Sequence, residues 1–274
     1  CRDTRKGELM AQTYEDLVRY VYENGIEKTD RTGTGTVSIT GGQIRYDLAK
    51  GFPLITTKRV FLRGVIEELL WFIRGSTNAW ELRDKGVHIW DAWADPETGE
   101  LGPVYGKQWR RWVDRDGHTH DQLIDAIETL RSEPDSRRII VNAWNVGELD
   151  QMALPPCHMM FQFITRGDKL DCVVTQRSAD MLLGVPFDIA SYALLTMLVA
   201  QQTGFELGEL VWNGGDCHIY NNHREQVELQ MSREPRALPH MIIDHEQSIR
   251  NYTVMNFHLI GYEPWPAIKA PVAI

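Results

Sequence analysis

The chain has 274 residues, 43% hydrophobic and 24% charged, which is long enough to bury one sizeable core. Its formal net charge of -9 disfavours extended nucleic-acid or anionic-membrane surfaces, which need clustered Lys and Arg, so an anionic ligand has to be small and met locally. Four cysteines, Cys1, Cys157, Cys172 and Cys217, contain no CxxC pair, which argues against zinc or a redox dithiol and fits a reducing cytoplasm.

The start, "CRDTRKGELM", lacks the apolar stretch of a signal peptide, and residues 1–12 read as a loosely ordered extension. No apolar run approaches the roughly 18 residues of a membrane span. "YEDLVRYVYENG" has helical spacing and ends on Gly25 as a C-cap. "RTGTGT" is a glycine-rich loop, and "VSITGGQIRYDL" alternates as a pair of strands. "RGVIEELLWFIRG" predicts a helix stopped by Gly75, and "DQLIDAIETLRSEPDS" an amphipathic one closed by Pro134. "RRIIVNAWN" predicts a buried strand by its β-branched run. "MMFQFIT" and "KLDCVVTQR" predict an antiparallel pair across "RGD". "IASYALLTMLVAQQTG" is the most apolar helix and so a central one. With no repeat, low-complexity tract or linker, residues 1–274 are expected to form one domain.

Chemistry concentrates in a few stretches. "LPPCHMMFQF" holds Cys157 behind two prolines at the entrance to a strand. A nucleophilic thiolate needs a cationic neighbourhood, and "TQRSAD" brings Arg177 and Ser178 back on the next strand. Arg137 and Arg138, Arg31 of the glycine-rich loop and Ser178 together offer the forked donors and hydroxyl that suit a small phosphate dianion.

The motifs "DRTGTGT", "GFPLITTKR", "EELLWFIRG", "IWDAWAD", "LGPVYGKQWR", "DSRRIIV", "LPPCH", "QRSAD", "GGDCHIYNNH" and "IKAPVAI", with "GVPF" and "IASYALL" around Asp188, resemble thymidylate synthase from about residue 13 to the last. The resemblance implies an α/β fold of the α+β kind, a large mixed β-sheet covered by helices, in a homodimer packed through the sheets. Cys157 would add to C6 of a pyrimidine nucleotide and make C5 nucleophilic. Arg31, Arg177 and Ser178 would hold the 5'-phosphate, with Arg137 and Arg138 reaching across from the other subunit. His218 and Tyr220 would bind the sugar hydroxyl, and Gln176 would contact the ring. Glu68, Tyr105 and His158 would form the proton-transfer network. The resemblance also implies 5,10-methylenetetrahydrofolate as one-carbon donor, without a metal. Trp90, Trp93, Leu183, Gly184 and Phe187 would line its cleft, Asp180 would bind the pterin, Lys58 would lie towards the tail, and Ile274 would close over it.

The chain departs from the family at Asp188, where the pattern "PFNIASY" has an amide that donates to uracil O4 and accepts from N3–H. A carboxylate would meet O4 lone pair against lone pair, at about 1–3 kcal/mol for each mismatched buried group. Cytosine presents the reversed edge, so Asp188 predicts a dCMP-acting enzyme, with dCMP favoured over CMP. Trp90, Trp93 and the "APVAI" terminus lean the product towards 5-methyl-dCMP. Met159, Met160 and Thr175 depart from the family's usual residues and leave 5-hydroxymethyl-dCMP open. The setting would be cytoplasmic, including a host cytoplasm if a phage modifies its DNA. Two alternatives stand beside this reading: an ordinary thymidylate synthase converting dUMP to dTMP, and a non-catalytic nucleotide- or RNA-binding homologue.

Overall fold

The computed structural model describes residues 13–30 and 32–272; the expected N-terminal extension lies outside them. In chain order the elements are α1 (Tyr14–Asn24), β1 (Ile26–Lys28), β2 (Thr36–Asp47), α2 (Leu62–Arg74), α3 (Trp80–Arg83), α4 (Tyr105–Arg111), β3 (Trp112–Val113), β4 (Thr119–His120), α5 (Gln122–Ser132), β5 (Ile140–Asn142), β6 (His158–Arg166), β7 (Lys169–Asp180), α6 (Gly184–Thr203), β8 (Glu206–Tyr220), α7 (Arg224–Met231), β9 (His240–Ile243) and β10 (Phe257–Ile260). Six strands form one mixed sheet in the order β1-β2-β8-β7-β6-β5. Its pairs are antiparallel except for β7 and β8, which run parallel and need the crossover that α6 supplies.

Local chemistry sets the helix ends. Thr13 accepts from Asp16 N–H while the Asp16 side chain accepts from Thr13 N–H, a reciprocal cap that starts α1. Gly25 does end α1, but in an extended conformation (φ -66°). A Cβ there would lie 2.5 Å from the Val21 carbonyl oxygen, so close approach explains the glycine. Gly75 closes α2 and Gly204 closes α6 in the left-handed region, where glycine avoids the Cβ penalty. Asp121 caps α5 by accepting from Ile124 N–H.

Three expectations need correction. "VSITGGQIRYDL" is one strand, because Thr40 pairs with Asp216 and Gly42 with Gly214 of β8, so the register is the same on both sides of Gly41. "RRIIVNAWN" yields only three strand residues at the sheet edge, with Val141 buried and Ile140 39% exposed. Finally, α6 is long and apolar enough by length and composition to cross a membrane. It is instead mostly buried within the fold, packed on β7, β8, α2 and α5. Being apolar all round, it needs cover all round.

The parallel β7–α6–β8 unit places the functional elements. The register pairs His158 with Gln176 and Asp180 with His218, so the start of β6 and the ends of β7 and β8 meet at one end of the sheet. The first turns of α6 rise from that end, while α2 packs on both α6 and α4. A β-bulge lies between His158 and Met160. The one-residue insertion changes the strand's phase, so His158 faces inward together with Phe161 and Phe163.

Candidate active site

Cys157 stands just before β6, partly buried. Its backbone N–H donates to the Tyr105 hydroxyl at 2.7 Å, and its carbonyl accepts from Arg177 N–H at 2.8 Å. Burial pushes the thiol up to about 11, against the pull of the Arg177 guanidinium. That guanidinium is fixed: Nε donates to the Pro156 carbonyl at 2.8 Å and Nη2 to that of Pro155 at 2.9 Å. It also lies over the Trp144 ring, 5.2 Å from the centroid. The two prolines thus orient the cation beside the nucleophile as well as extending its approach.

Tyr105 stacks on His158 with centroids 4.2 Å apart, and His158 Nδ1 lies 2.8 Å from the Tyr192 hydroxyl. Burial pushes His158 down to about 3, so the imidazole is neutral near pH 7. Glu68 projects from α2, and its Oε1 accepts from Trp90 Nε1 at 2.7 Å. Burial, with a contribution from the charge of Asp188, pushes Glu68 up to about 8, which suits proton exchange near neutrality. The adjacent Glu67 behaves differently: it is 3% exposed and accepts from Lys85 Nζ at 2.6 Å. Helical rotation directs one glutamate to an ion pair and its neighbour to the site.

Asp188, on the first turns of α6, accepts from Gln176 Nε2 at 2.8 Å through Oδ2. Its Oδ1 lies 3.7 Å from His158 Nε2, too far for a direct hydrogen bond. Gln176 in turn accepts from Trp212 Nε1 at 2.8 Å and donates to the Ser178 carbonyl at 3.0 Å. Burial pushes Asp188 up to about 7, against the opposing effect of the Gln176 hydrogen bond.

Cys157, Glu68, Tyr105, His158, Gln176, Arg177 and Asp188 therefore belong to one connected neighbourhood. Ser178 lies beside them on β7, paired with Asp216 of β8. His218 Nδ1 lies 3.1 Å from Asp216 Oδ1, and the His218 and Tyr220 rings meet edge-on at 5.1 Å. Arg137 and Arg138 are exposed ahead of β5, apart from this cluster within the chain. Arg31 and Ile274 lie outside the described residues.

Trp90 and Trp93 meet edge-on at 6.0 Å, and Leu183, Gly184 and Phe187, at the start of α6, are half-buried. The Trp93 Nε1 is buried without a hydrogen-bond partner among the described residues. Asp180 Oδ1 accepts from the N–H groups of Leu182 and Leu183. Lys58 is buried and donates to the Leu182 carbonyl; burial pushes its ammonium down to about 8, opposed by Asp180. It lies beneath the chain that leads into α6. Aromatic walls and an unsatisfied indole donor fit a heteroaromatic cofactor such as a reduced folate.

Sequence reasoning missed Trp212, Tyr192 and Trp144. A buried indole or phenol needs a polar partner, but which partner each finds depends on pairing between strands distant in sequence.

The thymidylate synthase family model matches residues 12–274. Thymidylate synthases of Coxiella burnetii strains Dugway 5J108-111, RSA 331 / Henzerling II and RSA 493 / Nine Mile phase I are each 57% identical over 262 residues, covering 95% of this chain and 99% of theirs. These matches overturn the dCMP-acting expectation, including both the 5-methyl and 5-hydroxymethyl products, because the relatives are thymidylate synthases along almost their whole length. Burial raises the Asp188 carboxyl to about 7, so the lone-pair clash expected of a carboxylate against uracil O4 is not forced near neutrality. The chain belongs to the thymidylate synthase family, enzymes that transfer one-carbon groups.

Proposed function

We propose that this protein converts dUMP to dTMP, with 5,10-methylenetetrahydrofolate as co-substrate. The observation that carries the reading is 57% identity to named thymidylate synthases over 95% of the chain, supported by the cluster that surrounds Cys157. The folate, when bound, supplies both the one-carbon unit and the hydride that reduces it to methyl. Trp90, Trp93, Leu183, Gly184 and Phe187 would form its cleft, with Asp180 near the ring and Lys58 behind the α6 entrance.

Cys157 Sγ bonds to C6 of the uracil, moving electron density to C5. Because burial holds the thiol protonated in the free protein, the addition needs the proton removed as the ring arrives, with Arg177 favouring the thiolate. Glu68 holds or releases a proton near neutrality, beside Tyr105 and the neutral His158. Arg177 and Ser178, with Arg137 and Arg138 of the partner subunit, hold the phosphate, while His218 and Tyr220 bind the sugar. The partner would pack on the sheet, as the exposed position of Arg137 and Arg138 at its edge suits a contribution across an interface. Cys157, Cys172 and Cys217 are free, in keeping with a reducing cytoplasm.

The direct test incubates the protein with dUMP and 5,10-methylenetetrahydrofolate. The expected result is dTMP by mass together with dihydrofolate absorbance, both lost in Cys157→Ala. Tight dUMP binding without turnover would favour a non-catalytic homologue instead.

A further inference from the structure

We infer that Asp188 reads the uracil of dUMP as a neutral carboxylic acid, with Oδ1–H donating to O4 and Oδ2 accepting from N3–H, so that nucleotide binding is gated by a proton. The inference rests on the dUMP reading above and explains how a carboxyl group serves in it.

The geometry determines which oxygen carries the proton. Trp212 Nε1 donates to Gln176 Oε1 at 2.8 Å, and Gln176 Nε2 donates to the Ser178 carbonyl at 3.0 Å. Reversing the amide would set nitrogen against the indole N–H and oxygen against a carbonyl, so its orientation is fixed. The remaining Nε2–H points at Asp188 Oδ2, 2.8 Å away, which makes Oδ2 the acceptor and places any carboxyl proton on Oδ1. An sp² oxygen has a second lone pair, and Oδ2 keeps it for N3–H. Oδ1 is 3.7 Å from His158 Nε2, so its hydroxyl is not committed to that ring and can turn towards O4.

The surroundings support the neutral form. Desolvation dominates, with the Asp180 charge adding to it and Gln176 opposing, and the carboxyl is raised to about 7. From β6, His158 is neutral near pH 7 and adds no cation. From α2, Glu68 is itself raised to about 8, partly by Asp188. Tyr105 of α4 and Tyr192 of α6 are held well above their ordinary value, again with Asp188 among the causes. Cys157 is protonated, with Arg177 acting on its thiol. None of these neighbours supplies a cation that would draw the Asp188 proton off, the Asp180 charge opposes its loss, and uracil adds two groups that the neutral acid satisfies.

The test compares wild type with Asp188→Asn, whose amide offers the same donor and acceptor at every pH. The ratio of their kcat/KM values for dUMP, measured from pH 6 to 9, cancels ionisation of the substrate; Glu68, whose proton affinity Asp188 itself raises, adds only a displacement confined to the region near pH 8. The ratio should be level near pH 6 and fall about tenfold per pH unit above 7. A ratio constant across the range overturns the inference while leaving dUMP turnover intact. Loss of all dUMP turnover in wild type at every pH would instead sink the dUMP reading beneath it. Calorimetry at pH 8, in buffers of different ionisation enthalpy, gives a readout independent of the variant's folding. Wild type should take up about one proton per dUMP bound, fading towards pH 5.5; no uptake at pH 8 overturns the inference.

Discussion

Trp90 donates its indole N–H to Glu68 at 2.7 Å, so one aromatic wall of the proposed folate cleft also sets the proton affinity of the proposed acid–base residue. A donor stabilises the ionised carboxyl, and burial opposes it. Trp90→Phe removes the donor and keeps most of the wall. The limb of the kcat profile that Glu68 controls, near pH 8 in wild type, should move to higher pH by about one unit. Glu68→Gln should abolish that limb, and a profile unmoved in both variants would remove Glu68 from proton transfer.

Trp212 acts one step further back by fixing Gln176, which in turn fixes Asp188. Trp212→Phe frees the Gln176 amide to reverse. KM for dUMP should rise about fivefold to tenfold, with a smaller change in kcat. Steady-state kinetics checks this; the opposite split, with kcat falling and KM constant, would assign Trp212 to something other than base recognition.

The raised Asp188 carboxyl also affects folding. Its folded value, about 7, exceeds the ordinary 3.8, so the folded state binds more protons between those limits. Stability is fully present below about pH 4 and is lost as pH rises to about 7. The shift bounds this cost at about 4 kcal/mol. Asp188→Asn should therefore stabilise the ligand-free protein at pH 8 by a few kcal/mol, and much less at pH 4, in denaturant melts. Equal effects at both pH values would mean that the carboxyl is not perturbed.

The exposed Arg137 and Arg138 give a test of assembly. A Cys157→Ser protein and an Arg137→Ala/Arg138→Ala protein should each be nearly inactive. Mixed and allowed to exchange subunits, they should recover about a quarter of wild-type activity, because half the dimers form and one of their two sites is intact. No recovery despite demonstrated exchange would place the two arginines with their own chain's site.

Several parts of this architecture were legible from sequence because their causes are local. Gly75 at the end of α2 and the turn at Gly167 between β6 and β7 follow from short-range chemistry. The continuity of β2 was not legible, since Gly41 and Gly42 resemble a turn until Gly214 of β8 is known to lie opposite Gly42. Nor was the role of Asp188. A sequence records a carboxyl but not its burial, and the fixed amide of Gln176 depends on an indole 36 positions away.

The bulge between His158 and Met160 has a consequence for how this chain can change over generations. It couples the nucleophile to the hydrophobic interior by counting residues, so substitution at Met159 is a local matter whereas deletion is not. Dropping that one position would restore a regular ladder and rotate His158 and Cys157 by half a pleat relative to Phe161. The interior could still assemble, but the reactive sulfur would be turned away from Glu68 and Asp188. Lineages descended from this ancestor should vary freely in identity at position 159 and hardly ever in length.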